Sequence, residues 1–285
     1  MYLKHALISL LALLLFSCSS PRKEAHDSPK LAFETPQNQS IPEIEKGKIV
    51  NPVVCISDDS QSYAAYLPSG YDAAKKFPVL FFFDAHAGGR IPIEAYKDLA
   101  EQYNYIVVGS NNSKNGLDAN TLSLIASTFM NDIKARFSID EKRIYLSGFS
   151  GGARVAASAA QQAGVCGLAS CSAGFQPNGT LPFSYIGFAG SEDFNSSEMI
   201  ELDKNLEQNK SRHQLILYQG KHEWPSEAIF ENAFLWFEFN AMKDKLIPLN
   251  QSLIDNFKKK EDAEIKEYQS KARNYEAFVT CEKCI

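Results

Sequence analysis

The stretch Ile144-Tyr145-Leu146-Ser147-Gly148-Phe149-Ser150-Gly151-Gly152-Ala153 decides how this chain is read. It begins as an apolar run of strand type, passes through the pattern G-x-S-x-G, and continues into small residues that open a helix. A chain that turns sharply from strand to helix at one serine needs glycine two positions to either side, because a side chain there would strike neighbouring backbone. Ser150 is then held in a strained conformation with its hydroxyl exposed, the posture of a nucleophile. Gly151 follows at a helix start, where its backbone N–H and the helix dipole favour a developing negative charge. The bare pattern is common by chance; what singles it out here is the matching strand before it and helix after it.

Outward from this turn, apolar runs alternate with helical spacing. Val79-Leu80-Phe81-Phe82-Phe83 and Ile106-Val107-Val108 are continuously apolar over strand length, which suits strands buried on both faces of a parallel sheet. Gly167–Ala169, Tyr185–Ala189 and Gln214–Tyr218 extend the series, and Ser62–Tyr66 alternates weakly. Helical spacing covers Ile93–Tyr103, Thr121–Phe137, Gly152–Ala163, Met199–Leu206 and Ala228–Phe239. The alternation predicts an α/β domain over residues 51–240, with a mostly parallel central sheet and helices on both faces. Residues 241–285 are charge-rich, with Leu249, Leu253 and Phe257, then Tyr268, Ala272, Tyr275 and Val279 at helical spacing. They predict a helical C-terminal extension, with Lys258-Lys259-Lys260 on a solvated face.

The chain has 285 residues and a formal charge of −5, with 45% hydrophobic and 22% charged residues. These values suit a globular domain and exclude a disordered, collagen-like or coiled-coil chain. The acidic excess speaks against nucleic acid as a partner. Lys4 and the leucine-rich run to Phe16 make residues 1–17 a signal peptide, too short to span a bilayer. Leu15-Phe16-Ser17-Cys18 resembles the lipobox of bacterial lipoproteins, which implies cleavage before Cys18 and lipid on its thiol. Ser19 in the next position implies an outer rather than an inner membrane. Residues 18–50 then read as a lipidated cysteine and a polar, proline-containing tether to an extracytoplasmic domain.

A nucleophilic serine needs a base and an acid that orients it. Two histidines follow Ser150. His213 stands at the front of a strand, the wrong end for a site at the strands' carboxyl ends, whereas His222 lies in the loop beyond it. Asp193, in Gly190-Ser191-Glu192-Asp193 just past another strand, is the preferred acid; Glu192 is its rival and Asp203 a more distant one. The second oxyanion donor is expected from the loop Asp84-Ala85-His86-Ala87-Gly88-Gly89-Arg90, with the His86 N–H as candidate and Ala85 as alternative. Asp84 and His86 have no third ligand at suitable spacing, and His222-Glu223-Trp224-Pro225 lacks the second histidine of a zinc helix. Neither a metal nor another cofactor is expected.

Tyr63 to Phe239 resembles the α/β-hydrolase superfamily, in its esterase-like branch. The resemblance rests on "YLPSGY" and "FPVLFFFD" ahead of the oxyanion loop, and on "SGFSGGARVA", "GSED" and "GKHEWP" at the places of nucleophile, acid and base. It implies attack by Ser150 on an ester, thioester or activated amide, then hydrolysis of an acyl-enzyme. Where the family commonly has His-Gly after the oxyanion strand, this chain has Asp84-Ala85, which leaves the loop's shape and the acyl specificity open. A peptidase on the same fold and a non-catalytic binding lipoprotein are the alternatives. The short stretch from Ile144 to Tyr185 leaves little room for a lid and predicts an open pocket for soluble or polymer-linked esters. Cys55, Cys166, Cys171, Cys281 and Cys284 could pair in an oxidising compartment, and spacing does not assign the pairs.

Overall fold

Phe77-Pro78-Val79-Leu80-Phe81-Phe82-Phe83 is buried along its whole length, and its side chains leave to opposite sides. Val79, Phe81 and Phe83 join one core layer with Phe129, Ile133 and Val155. Leu80 and Phe82 join a second with Tyr96, Phe230 and Phe234. Such a strand needs a cover on each face. The computed structural model, which describes residues 44–273, supplies both.

The strands are β1 (Ile49–Val54), β2 (Ser62–Tyr66), β3 (Phe77–Phe83), β4 (Ile106–Ser110), β5 (Ile139–Phe149), β6 (Gly167–Cys171), β7 (Ser184–Gly190) and β8 (His213–Tyr218). The helices are α1 (Arg90–Tyr103), α2 (Ala119–Arg136), α3 (Gly151–Ala163), α4 (Ser196–Gln208), α5 (Glu227–Lys243) and α6 (Gln251–Ser270). Among the described residues the strands make one eight-stranded sheet in the order β1-β2-β4-β3-β5-β6-β7-β8. β3 to β8 run parallel, while β1 and β2 are antiparallel at one edge. Helices α1 and α5 cover one face through Tyr96, Leu99, Phe230, Phe234 and Phe237. The other face is covered by α2, α3 and α4 through Phe129, Ile133, Ala156, Leu202 and Leu206.

This strand order positions the site. From β3 the chain moves outward to β4, then returns to pair β5 with the other edge of β3, so that Phe83 and Gly148 lie in register. The segment after β3 enters α1 on one face, and the segment after β5 enters α3 on the opposite face. A crevice therefore opens between the carboxyl ends of β3 and β5, where such sheets bind their ligands.

Two boundaries differ from the expectation drawn from composition. The tether ends before residue 50: Ile44 is already buried and β1 starts at Ile49. Pro52 and the mixed exposure of this strand hide its pattern, as is usual for an edge strand. At the other end α5 continues to Lys243, and α6 packs back on it through Phe239 and Phe257, whose ring centroids are 5.0 Å apart. Lys260 also reaches Glu231 at 2.7 Å, so one of the three lysines is paired rather than only solvated. Cys55, Cys166 and Cys171 are free thiols, and burial pushes that of Cys55 up to about 12. Cys18, Cys281 and Cys284 lie outside the described residues.

A buried ion pair ties the antiparallel edge to α2. Asp132 accepts from the Ile56 N–H at 2.7 Å and the Tyr63 hydroxyl at 2.8 Å, and pairs with Arg136 at 2.7 Å. Arg136 in turn donates to the Val54 carbonyl at 2.6 Å. The two charged side chains are 1% and 5% exposed, so removing the carboxylate strands a desolvated guanidinium. Asp132→Ala should lose about 3–5 kcal/mol of stability. A urea titration showing a loss below about 1 kcal/mol, the range of a surface pair, would contradict this account of the edge.

Candidate active site

Between β5 and α3 there is one residue, Ser150, with φ 53° and ψ −122°. A side-chain-bearing residue in this region costs of order 1–3 kcal/mol, and the surrounding contacts must hold it there. They do. The Ser150 N–H donates to the Cys171 carbonyl at 2.9 Å, and its own carbonyl accepts from Ala153 at 3.0 Å. A Cβ on Gly148 would overlap the Gly152 carbonyl, and one on Gly152 would overlap that of Phe83. The glycines that the pattern demanded are the positions where β3, β5 and α3 touch backbone to backbone.

Ser150 heads α3 without capping it, because its hydroxyl is turned to a partner from another loop. That partner is His222, whose Nε2 lies 2.9 Å from Ser150 Oγ. His222 Nδ1 lies 2.9 Å from Asp193 Oδ1, on a fully buried side chain. Ser150, Asp193 and His222 thus form one hydrogen-bonded chain drawn from the ends of β5, β7 and β8. The acceptor at Nδ1 selects the tautomer that leaves Nε2 free to take a proton. Asp193 also accepts from the Asn195 N–H at 2.8 Å, which fixes the carboxylate. The acid and base loops are joined by backbone bonds: Ser191 N–H to the Tyr218 carbonyl at 2.7 Å, and Glu192 N–H to the Gly220 carbonyl at 2.9 Å.

The rival residues lie elsewhere. The Glu192 side chain is exposed and has no part in this chain. His213 opens β8 at its amino end, where its Nε2 faces Asp203 at 3.4 Å. Burial raises the Asp203 pKa, and the pair sits at the edge of the sheet opposite the crevice.

The oxyanion side brings one correction. The His86 N–H donates to Asp84 Oδ1 at 2.8 Å, so it is not free to meet a substrate. The Ala85 N–H has no acceptor among the described residues, and neither has that of Gly151. Of the two N–H groups that loop position offered, His86 and Ala85, only that of Ala85 is therefore left unengaged among the described residues. Asn115, which sequence spacing did not single out, closes this side. Its N–H donates to the Ala85 carbonyl at 2.8 Å, and its amide oxygen lies where a Cβ on Gly151 would go. Phe149 and Phe194 hold the His222 ring, at centroid distances of 4.9 and 4.1 Å. Phe194 is 75% exposed; its place directly after Asp193 was its one signal in the sequence. From Asn115 and Gly151 a groove of about 580 Å³ runs between α2 and α3, over Leu122, Met130 and Val155.

No protein-family model matches the chain, and no curated protein does. Solved structures do. A feruloyl esterase module from Clostridium thermocellum, in complex with sinapinate, superposes with a TM-score of 0.56 at 16% identity, over 67% of this chain and 88% of that one. Thermogutta terrifontis esterase 2 gives 0.55 at 11% identity, over 73% and 99%. The S-formylglutathione hydrolase of Staphylococcus aureus gives 0.52 at 12%, over 62% and 90%. The fold is that of the α/β-hydrolases.

In an α/β-hydrolase sheet the serine turn depends on backbone contact, and that contact can be measured. Gly152→Ala should lose about 2 kcal/mol or more, the scale of overpacking, because the Phe83 carbonyl it meets is backbone and cannot swing away. Gly70→Ala, where the nearest atom would be 3.7 Å away, should be neutral. Equal urea midpoints for the two variants would refute the contact.

Proposed function

We propose that this protein is a serine hydrolase that cleaves a carboxylic ester through an acyl-enzyme on Ser150. The observation that carries the reading is the continuous path from Ser150 Oγ to His222 to buried Asp193, at 2.9 Å for each step. His222 Nε2 takes the hydroxyl proton as Oγ attacks the carbonyl carbon. The tetrahedral oxyanion meets the N–H groups of Gly151 and Ala85. Asp193 and the flanking rings of Phe149 and Phe194 hold the imidazolium in place. Collapse returns the proton to the departing alcohol. Water then repeats the sequence on the acyl-enzyme and releases the acid. The esterases among the similar folds favour an ester over an amide as substrate. The groove that starts at Gly151, in the volume range of ordinary ligand sites, offers room for an acyl or alcohol group.

The domain should hydrolyse short p-nitrophenyl esters and be labelled at Ser150 by a fluorophosphonate. Ser150→Ala should lose turnover by ~10⁶ and Asp193→Asn by ~10⁴, while Glu192→Gln stays near the wild type. A wild-type protein inert to both ester and probe would remove the reading, and a binding protein would take its place.

The N-terminal residues, taken as a lipoprotein signal, would hold this hydrolase at a bacterial membrane through lipid on Cys18. Several acyl chains together anchor a protein durably. Cys18→Ala should move the full chain from the detergent phase to the aqueous phase. Unchanged partitioning would argue against lipid at that cysteine.

A further inference from the structure

Asp84 is the residue at which the sequence leaves the pattern of the fold family, and the structure gives it an unusual set of partners. Its side chain is 3% exposed, yet no lysine or arginine among the described residues pairs with it. The nearest basic group is His86 Nδ1 at 3.8 Å, on a ring that is 76% exposed. Three N–H donors converge on the carboxylate instead. Oδ1 accepts from the backbone of His86 at 2.8 Å and of Gly88 at 3.2 Å. Oδ2 accepts from the indole Nε1 of Trp224 at 2.9 Å.

The first two donors belong to the oxyanion loop. The third comes from the loop that carries the catalytic base, two residues beyond His222. Trp224 packs against Phe149 at 5.5 Å, and Phe149 adjoins both Ser150 and the His222 ring. The Tyr96 hydroxyl donates to the Pro225 carbonyl at 2.7 Å and fastens the same loop from α1. One carboxylate therefore links the two segments whose separation decides whether oxyanion donor and base meet the same carbonyl.

We infer that Asp84 is a positioning residue: it holds the oxyanion loop against the His222 loop and thereby sets the rate of acylation rather than the binding of substrate. This rests on Ser150 being the nucleophile. The chemistry requires an acceptor on both oxygens, since all three partners can only donate. Asparagine has the same shape but one acceptor. Whichever way its amide turns, the NH₂ faces either the backbone pair or the indole N–H.

Three variants test this: Asp84→Asn, Trp224→Phe and the two combined. Rates are taken per active site titrated with fluorophosphonate, so that unfolded protein does not count. Asp84→Asn should lower kcat by ~10² with KM within about threefold, since a misplacement of about 1 Å can cost that much. The rate of fluorophosphonate labelling should fall in parallel. In the double variant the amide can aim its oxygen at the two backbone donors and its NH₂ at a ring without a donor. That arrangement leaves no bond between the two loops, so kcat should stay within about threefold of Asp84→Asn, and Trp224→Phe alone, which breaks the same bond, should lower kcat by about tenfold. The chain has two tryptophans, so a ¹H–¹⁵N spectrum should show two indole signals, one of which moves in Asp84→Asn. If Asp84→Asn or Trp224→Phe keeps kcat within twofold of the wild type, or if the double variant returns to the wild-type rate, the positioning role is wrong. A wild-type protein that neither turns over esters nor labels at Ser150 fails earlier, at the nucleophile, and takes this inference with it.

Discussion

The site depends on a place where no side chain fits. At the carboxyl end of β3 the Phe83 carbonyl lies directly over Gly152, and Gly152 lies over Gly148. This contact of three backbones lets β5 turn into α3 within one residue and holds Ser150 at a positive φ. Conformational strain of this kind persists only when its surroundings over-determine it. Here they include the bond from the Ser150 N–H to Cys171 and the two buried aromatic layers that fix β3 between α2 and α1. Packing far from the crevice is thus converted into the direction of one hydroxyl.

The other members of the site are held with less strain and more hydrogen bonding. Asp193 and His222 come from successive loops of adjacent parallel strands, and the backbone bonds between Ser191, Glu192, Tyr218 and Gly220 make those loops one unit. The loop after β3 is attached differently, through the buried Asp84 carboxylate and the Trp224 indole. A carboxylate buried without a cation is stable only when its lone pairs are occupied. Its three donors meet that requirement and orient the loop at the same time. Rigid elements supply the directions, while loops supply the chemistry.

Much of this was legible in the residues. The strand-and-helix alternation and the glycines around Ser150 follow from local rules of period and backbone freedom, while the order of serine, acid and histidine is what the resemblance to the α/β-hydrolases implied. Asp193 was preferred over Glu192 for its place beyond the strand, and in the structure Asp193 is buried while Glu192 is exposed. What misled was a matter of partners. His86 looked like the second oxyanion donor by loop position, but its N–H is taken by a carboxylate two residues before it. Residues 44 to 50 looked like tether because the start of an edge strand with Pro52 has little pattern to show.

By itself, then, the sequence determined the α/β architecture, the serine turn and the three residues most able to form a relay. Each of these is marked by its own neighbours within a few positions along the chain, although Ser150 and His222 themselves stand 72 positions apart. Tertiary structure alone decided that Asn115 lies against Gly151, that Phe194 covers His222, and that Asp84 accepts from Trp224, 140 positions away. Such contacts join segments distant in the chain, and a hydrogen bond or a ring contact depends on ångström-scale placement that residue type and spacing do not encode.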